Sequence, residues 1–168
     1  MIEIESVPLC DVSFQSEKWL IRQKEIMHSI VQTLDAFRDY FPSFQSRGHV
    51  DLILADDLFI QDLNGRYRGK DQPTNVLSFP QEDLEKGQAL IKTPLLLLGD
   101  IVMSYETLDR EALSQNISFM HHFSHLLIHG LLHLLGFDHE TDKDQQEMEA
   151  LEAKILETLS IANPYNQR

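Results

Sequence analysis

The sequence predicts an α+β domain of three layers, with helices packed on a single sheet and one buried helix as its spine. Three observations carry that prediction. Short apolar stretches at 2–5, 50–55, 75–79 and 95–103 have the length of strands and are punctuated by Gly, Pro, Asn and Asp. Residues 17–37, 104–112 and the segment after Thr141 instead repeat apolar side chains at helical spacing. Between the last two, residues 118–135 are apolar nearly all round, a pattern that places a helix at the centre of a domain.

Taken in order, residues 2–5 alternate apolar and acidic side chains, as a half-buried strand does. Residues 17–37 form a helix with Leu20, Ile21, Ile26, Ile30, Val31 and Leu34 on its apolar side. A strand at 50–55 follows, and Asp56 caps a short helix ending near Leu63. Asn64-Gly65 and Gly69 mark turns, and Pro73 excludes helix. The strand at 75–79 stops at Pro80, whose missing N–H suits the edge or end of a sheet. Residues 81–93 form a polar connector to the strand at 95–103, which Gly99-Asp100 crosses. Helices at 104–112 and 118–135 come next. Thr141 with Asp144 resembles a capping box opening a last helix, with Met148, Leu151, Ile155 and Leu159 as its stripe. The tail from Asn163 is expected to fray.

Composition narrows the function. The 168 residues, without repeats, low-complexity tracts or linkers, suit one domain spanning 1–168. A lone cysteine, Cys10, excludes an intramolecular disulfide and fits a reducing cytosol. The first 17 residues are acidic, with no basic side chain before Lys18, which is the wrong charge for a secretory signal. The apolar runs near 95–98 and 126–135 are too short or interrupted to span a bilayer. A soluble, cytoplasmic protein with no membrane partner is the expectation. A net charge of −13 argues against non-specific coating of nucleic acid. Within that acidic chain Arg66, Tyr67, Arg68 and Lys70 form a compact basic-aromatic cluster. It reads equally as a guide for a phosphate and as a solvated turn.

The densest chemistry lies in the run from His129 to His139. His129 and His133, at i and i+4, share one helix face and can reach one metal ion. Gly136 can end the helix in the left-handed conformation, and the returning chain can bring His139 up as a third ligand. Three protein ligands leave one tetrahedral position for water, as in catalytic zinc. His125 sits one turn upstream, but a helix drifts by about 40° per four-residue step, so His125 is placed beside the metal shell and not in it. His28, His49, His121 and His122 have no such spacing and default to structure or surface. Gly130, inside the helix, costs about 1 kcal/mol relative to alanine. It either admits close packing or leaves room beside the metal, and both readings stay open at this point.

The spacing is similar to the HExxHxxGxxH signature of metzincin-type zinc proteases, but Gly130 stands where they place the general-base glutamate. Peptide hydrolysis by that route therefore lacks its proton acceptor. Zinc can lower the pKa of water to about 7 and so supply hydroxide directly, with Asp138 or another residue assisting, and a phosphodiester becomes a plausible target.

The run His129-Gly130-x-Leu132-His133-Leu134-x-Gly136-Phe137-Asp138-His139 resembles the signature of the YbeY family of bacterial endoribonucleases and rRNA maturation factors. Two more blocks match in family order. One is Leu63-Asn64, Tyr67-Arg68-Gly69-Lys70-Asp71 and Pro73 through Pro80; the other is Leu98-Gly99-Asp100-Ile101-Val102 before Ser104. The resemblance implies a mixed sheet flanked by helices and one zinc ion on His129, His133 and His139. It also implies cleavage of single-stranded RNA, in 3′-end maturation of small-subunit (16S) rRNA and ribosome quality control. The implied partners are the rRNA precursor, the small ribosomal subunit and its assembly factors. The family's functional arginine falls on Arg68, which tips the basic cluster toward a phosphate contact and makes Arg68, His129, His133 and His139 the expected catalytic group. His125, Asp71, Ser78 and Asp100 match as well, and for the last three a structural role is as good a reading. Two other functions compete: a non-catalytic ribosome-assembly factor with a structural zinc, and a peptidase, which Gly130 disfavours.

Overall fold

A computed structural model describes residues 3–42, 48–81 and 96–166. Its elements run β1 (Glu3–Val7), β2 (Cys10–Phe14), a 3-10 turn (Glu17–Arg22), α1 (Gln23–Tyr40), β3 (Gly48–Ala55), α2 (Asp57–Arg68), β4 (Val76–Pro80), β5 (Leu96–Ser104), α3 (Tyr105–Gln115), α4 (Phe119–Leu134) and α5 (Asp142–Thr158). The strands form one sheet in the order β1-β2-β3-β5-β4. Parallel pairing joins β2, β3 and β5, and antiparallel β1 and β4 close the two edges. The sheet is mixed, as the family resemblance implied. Pro80 ends an edge strand, where its missing donor costs nothing in the ladder.

Strand β5 shows how three layers arise. Successive strand residues point to opposite faces. Ile101 enters the large core with Trp19, Ile30, Leu34, Phe123 and Leu131. Val102, its neighbour, joins Ile60 of α2, Ala55 and Leu77 in a smaller core on the other face. Helix α4 is the spine: 11 of its 16 residues are buried. Each leucine so buried contributes about 1.5–3 kcal/mol, which fixes the helix firmly against the sheet. Cys10 is buried in the same core, and that burial pushes its thiol up to about 12, far from reactivity.

At Gly130 helix and sheet approach closely. A Cβ there would lie 3.1 Å from Ile101 and 3.2 Å from Ser78 Oγ. Ser78 also donates to the Gly130 carbonyl at 3.1 Å, tying β4 to α4. Close packing is therefore the role of this glycine, and a glutamate at 130 would meet the sheet before it met any cleft. Gly99, at φ 139°, is needed for a second approach, since a Cβ would fall 2.2 Å from the Phe79 carbonyl.

Three expectations are corrected. Strand β2 was not expected; it alternates buried Cys10, Val12 and Phe14 with half-buried Asp11 and Ser13. Its hairpin turns through Leu9 at φ 64°, a non-glycine residue that gives no turn signal. The expected helix at 17–37 begins as a 3-10 turn, and Ile21 and Val31 lie outside its apolar stripe, 87% and 39% exposed; Trp19 and Phe37 are in the core instead. Asn64-Gly65 is not a turn. Helix α2 runs through both, because the buried Asn64 amide is satisfied by the Gln72 carbonyl at 2.8 Å and Gly69, at φ 68°, makes the cap. The expected polar connector at 81–93 lies outside the described residues from 82 onward.

Candidate metal centre and cleft

The last turns of α4 carry His129 and His133. Past them the Phe137 N–H turns back to the Leu132 carbonyl at 3.0 Å, and Gly136 between takes φ 94°, as the capping argument expected. The Asp138 carboxylate then accepts the His139 N–H at 2.7 Å. Through this reversal one ring nitrogen from each of His129, His133 and His139 comes to lie within 4.8 Å of the others.

Hydrogen bonding fixes the tautomers. His129 Nδ1 faces Glu152 Oε1 at 2.8 Å, and His133 Nδ1 faces the Phe137 carbonyl at 3.0 Å. Burial alone would raise the Glu152 carboxyl, but hydrogen bonds from His125 and His129 outweigh it and hold the group at about 2. Both partners are thus acceptors only, and each Nδ1 must carry the proton. The two Nε2 atoms, 3.1 Å apart, then present lone pairs to each other. That contact is repulsive unless a cation lies between the rings. Two nitrogens bound at 2.0–2.1 Å to a tetrahedral metal stand roughly 3.3 Å apart. A proton is a poor substitute, since burial first, and then His129 and His139, push His133 down to about 4. The donor set fits a metal ion with three nitrogen ligands and an open position.

Behind this triad stand two residues that the sequence reading did not place in the site. Glu152 of α5 is 1% exposed and lies among the buried residues of its helix, Met148 and Ile155. A carboxylate at that helical position was itself a signal, because a buried charge needs partners. The Tyr165 hydroxyl donates to Glu152 Oε2 at 2.6 Å and lies 3.0 Å from His125 Nε2. The tail expected to fray is instead tied back to α4 and α5 through Tyr165, a residue whose position no periodicity marked. His125 stays outside the triad, 3.2 Å from Glu152 Oε1.

Across from the histidines, Gly69 turns the chain so that Arg68 and Lys70 line the same cleft, of about 260 Å³, as all three imidazoles. The Arg68 guanidinium donates to the Ser78 carbonyl at 3.4 Å. No carboxylate appears among the described lining residues of this cleft. The basic cluster therefore splits. Arg66 pairs with Asp62 at 2.6 Å on the exposed side of α2, and Tyr67 packs edge-on to Phe79 at 5.4 Å. Asp71 accepts from the Gln61 amide at 3.1 Å, a turn contact. Asp100 lies beside Asp51 on the sheet, where burial and then that second carboxylate raise its own carboxyl.

A family model described as Endoribonuclease YbeY matches residues 11–160. Among curated proteins, the Endoribonuclease YbeY of Parvibaculum lavamentivorans is 53% identical over 117 residues, 68% of this chain and 63% of that one. Those of Nitrobacter hamburgensis and Bradyrhizobium diazoefficiens are 42% and 40% identical, over 95% and 97% of this chain and 83% and 88% of theirs. The chain thus spans somewhat under two thirds of the first relative's length and most of the other two. Among solved structures, the solution structure of TM1509 from Thermotoga maritima superposes with a TM-score of 0.57 at 26% identity, covering 88% of this chain and 87% of that one. Matched along nearly its whole described fold and through the helix that carries the histidines, the chain belongs to the YbeY endoribonuclease family.

Proposed function

We infer that this protein is a zinc-dependent endoribonuclease that cuts single-stranded RNA. The observation that carries the reading is one cleft holding Arg68 and Lys70 on one wall and three imidazoles on the other, two of them, His129 and His133, fixed in tautomer by buried acceptors. Family membership supports RNA as the substrate. The protein's place in the cell follows only from what the sequence motifs resemble: on that reading it acts on the small-subunit rRNA 3′ end and in ribosome quality control, beside the small subunit and its assembly factors in the cytoplasm. Among the described residues no helix is long and apolar enough to cross a membrane.

Zinc held by His129, His133 and His139 would supply Lewis acidity and lower the pKa of water to about 7. The chain's own residues do the rest. Arg68 presents planar N–H donors that suit two oxygens of one phosphate, and Lys70 adds a second positive charge. As charge builds on the phosphorus oxygens, these donors stabilise it without reorganising, because Gly69 and the Asn64–Gln72 bond hold their corner of the chain in place. Glu152 and the Phe137 carbonyl keep His129 and His133 in the metal-binding tautomer throughout. The nucleophile is either water or the neighbouring ribose 2′-OH. Product ends separate them: a 2′,3′-cyclic phosphate marks internal attack, and a 5′-phosphate with a 3′-OH marks water.

The test is cleavage of a labelled single-stranded RNA by wild type, Arg68→Ala and His133→Ala, each verified as folded by circular dichroism. Cutting by wild type alone supports the nuclease. Equal cutting by all three assigns the activity to a contaminant and favours an assembly factor with structural zinc.

A further inference from the structure

Three depressions lined by described residues share His129. One is the cleft with Arg68 and Lys70. A second, on the α5 side, is lined by Glu149 and Glu152. The third is a trough of about 670 Å³, larger than either. It shares Asn75, Val76 and His129 with the cleft and runs along α4 past His125 and His122. Each of the other two offers an RNA strand with one phosphate at the metal centre a way on from the cleft. On the α5 side Glu152 is buried and already engaged, but the half-buried Glu149 places its carboxylate against the strand, which repels phosphate.

The trough does not. In a chain with 27 acidic and 14 basic side chains, the described lining of the trough includes one carboxylate, Glu111. That carboxylate is already engaged, by His122 Nε2 at 3.0 Å and the Asn75 amide at 2.9 Å. The walls suit a flat heterocycle. His125 and Tyr165 meet edge to face with ring centres 5.5 Å apart, and Ile117, Leu126 and Ile161 supply apolar surface. His122 is 3% exposed, and its Nδ1 has no hydrogen-bond partner among the described residues. Buried polar atoms left so are satisfied as a rule by water or ligand. The volume falls in the range of roughly 300–1,000 Å³ usual for small-molecule sites.

We propose that this trough is a base-binding subsite, taking the nucleobase of a nucleotide adjacent to the scissile phosphate and packing its face against the ring-and-aliphatic wall. The inference rests on the RNA-cleaving reading above and adds the direction in which the strand leaves the metal centre. It also explains a preference for single strands, since a paired base cannot turn out of its stack into such a trough. Because the site works through packing and not phosphate charge, it suits a protein too acidic to hold RNA by electrostatics alone.

The test is the affinity of the purified, metal-containing protein for a fluorescent 2′-O-methyl decaribonucleotide, read by anisotropy, with the oligonucleotide verified intact afterwards. Ala162→Trp fills the trough from an exposed position, and Gln115→Glu adds charge at its rim. Gln32→Glu adds the same charge on exposed α1, away from the trough, as a control. Loss of one base contact, worth about 1–3 kcal/mol, predicts at least roughly fivefold weaker binding for Ala162→Trp, and the carboxylate of Gln115→Glu, set beside the strand's phosphates, should weaken binding in the same direction. The control should bind like wild type. If Arg68→Ala weakens binding and the two trough variants do not, the subsite is wrong and the nuclease reading stands. If wild type itself binds no RNA, both fall.

Discussion

Two groups of side chains among the described residues bring metal-ligating atoms within 4.8 Å of one another: His129, His133 and His139 at the end of α4, and Asp11, His49 and Asp51 on the sheet. They differ in what stands behind them. At α4, the Nδ1 atoms of His129 and His133 are each committed to an acceptor, Glu152 or the Phe137 carbonyl, so the Nε2 lone pairs have nowhere to go but a cation. On the sheet, His49 Nε2 already lies 3.3 Å from Asp51 and 3.5 Å from Asp11, with all three side chains 29–46% exposed. The imidazole there can pair with its carboxylates, and water can reach all of them. Proximity is common to both groups. What separates them is whether buried partners have fixed the protons so that only a metal completes the set.

The largest expected effect breaks the first group outright. His133→Ala removes one ligand of three and should weaken zinc binding by more than about a hundredfold, with RNA cleavage lost alongside, whereas His49→Ala should leave metal content unchanged. Arg68→Ala leaves the imidazoles in place. It should slow cleavage by about 10²–10³-fold with zinc fully retained, read from initial rates and metal analysis on the same sample. Glu152→Gln keeps the shape but removes the charge that fixes His129, and zinc affinity measured by chelator competition should fall by about 10- to 100-fold.

The smallest effect lies beside the sheet group, at Asp100. Burial and Asp51 raise the Asp100 carboxyl, so the folded state holds that proton more tightly than the unfolded one. Ionising it on folding therefore costs stability, a cost absent in acid and incurred as pH rises through the folded-state pKa. Asp100→Asn should raise stability at neutral pH by about 0.5–1 kcal/mol, and the gain should vanish below the ordinary carboxylate range. Urea denaturation at the two pH values measures it. A gain that persists in acid would show that charge is not the cause.

Much of this was legible in the sequence because spacing alone specifies it. The i and i+4 histidines share a face in any helix, and Gly136 does what a glycine past a helix end commonly does. The central helix announced itself by being apolar all round. The network behind the metal was less legible, since it depends on long-range packing: Glu152 reaches His129 from 23 residues away and Tyr165 reaches Glu152 from 13. Asn64-Gly65 misled for a related reason. Its local turn preference was outweighed by one tertiary hydrogen bond to Gln72, and the consequence is that Arg68 ends a helix facing the histidines. Strand β2 had the right alternation, but the turn before it offers only Pro8 and carries Leu9, not Gly, Asn or Asp, at its left-handed position, so its hairpin was not separable from a loop.

Metal analysis of the purified protein tests the central claim most directly: that buried acceptors preset these imidazoles for one ion. Zinc per chain would be measured by mass spectrometry for wild type, Glu152→Gln and His133→Ala after identical dialysis against a weak chelator. The account predicts one equivalent in wild type, a partial complement in Glu152→Gln and none in folded His133→Ala. A full equivalent retained without His133, or no metal bound by wild type supplied with zinc, would contradict it.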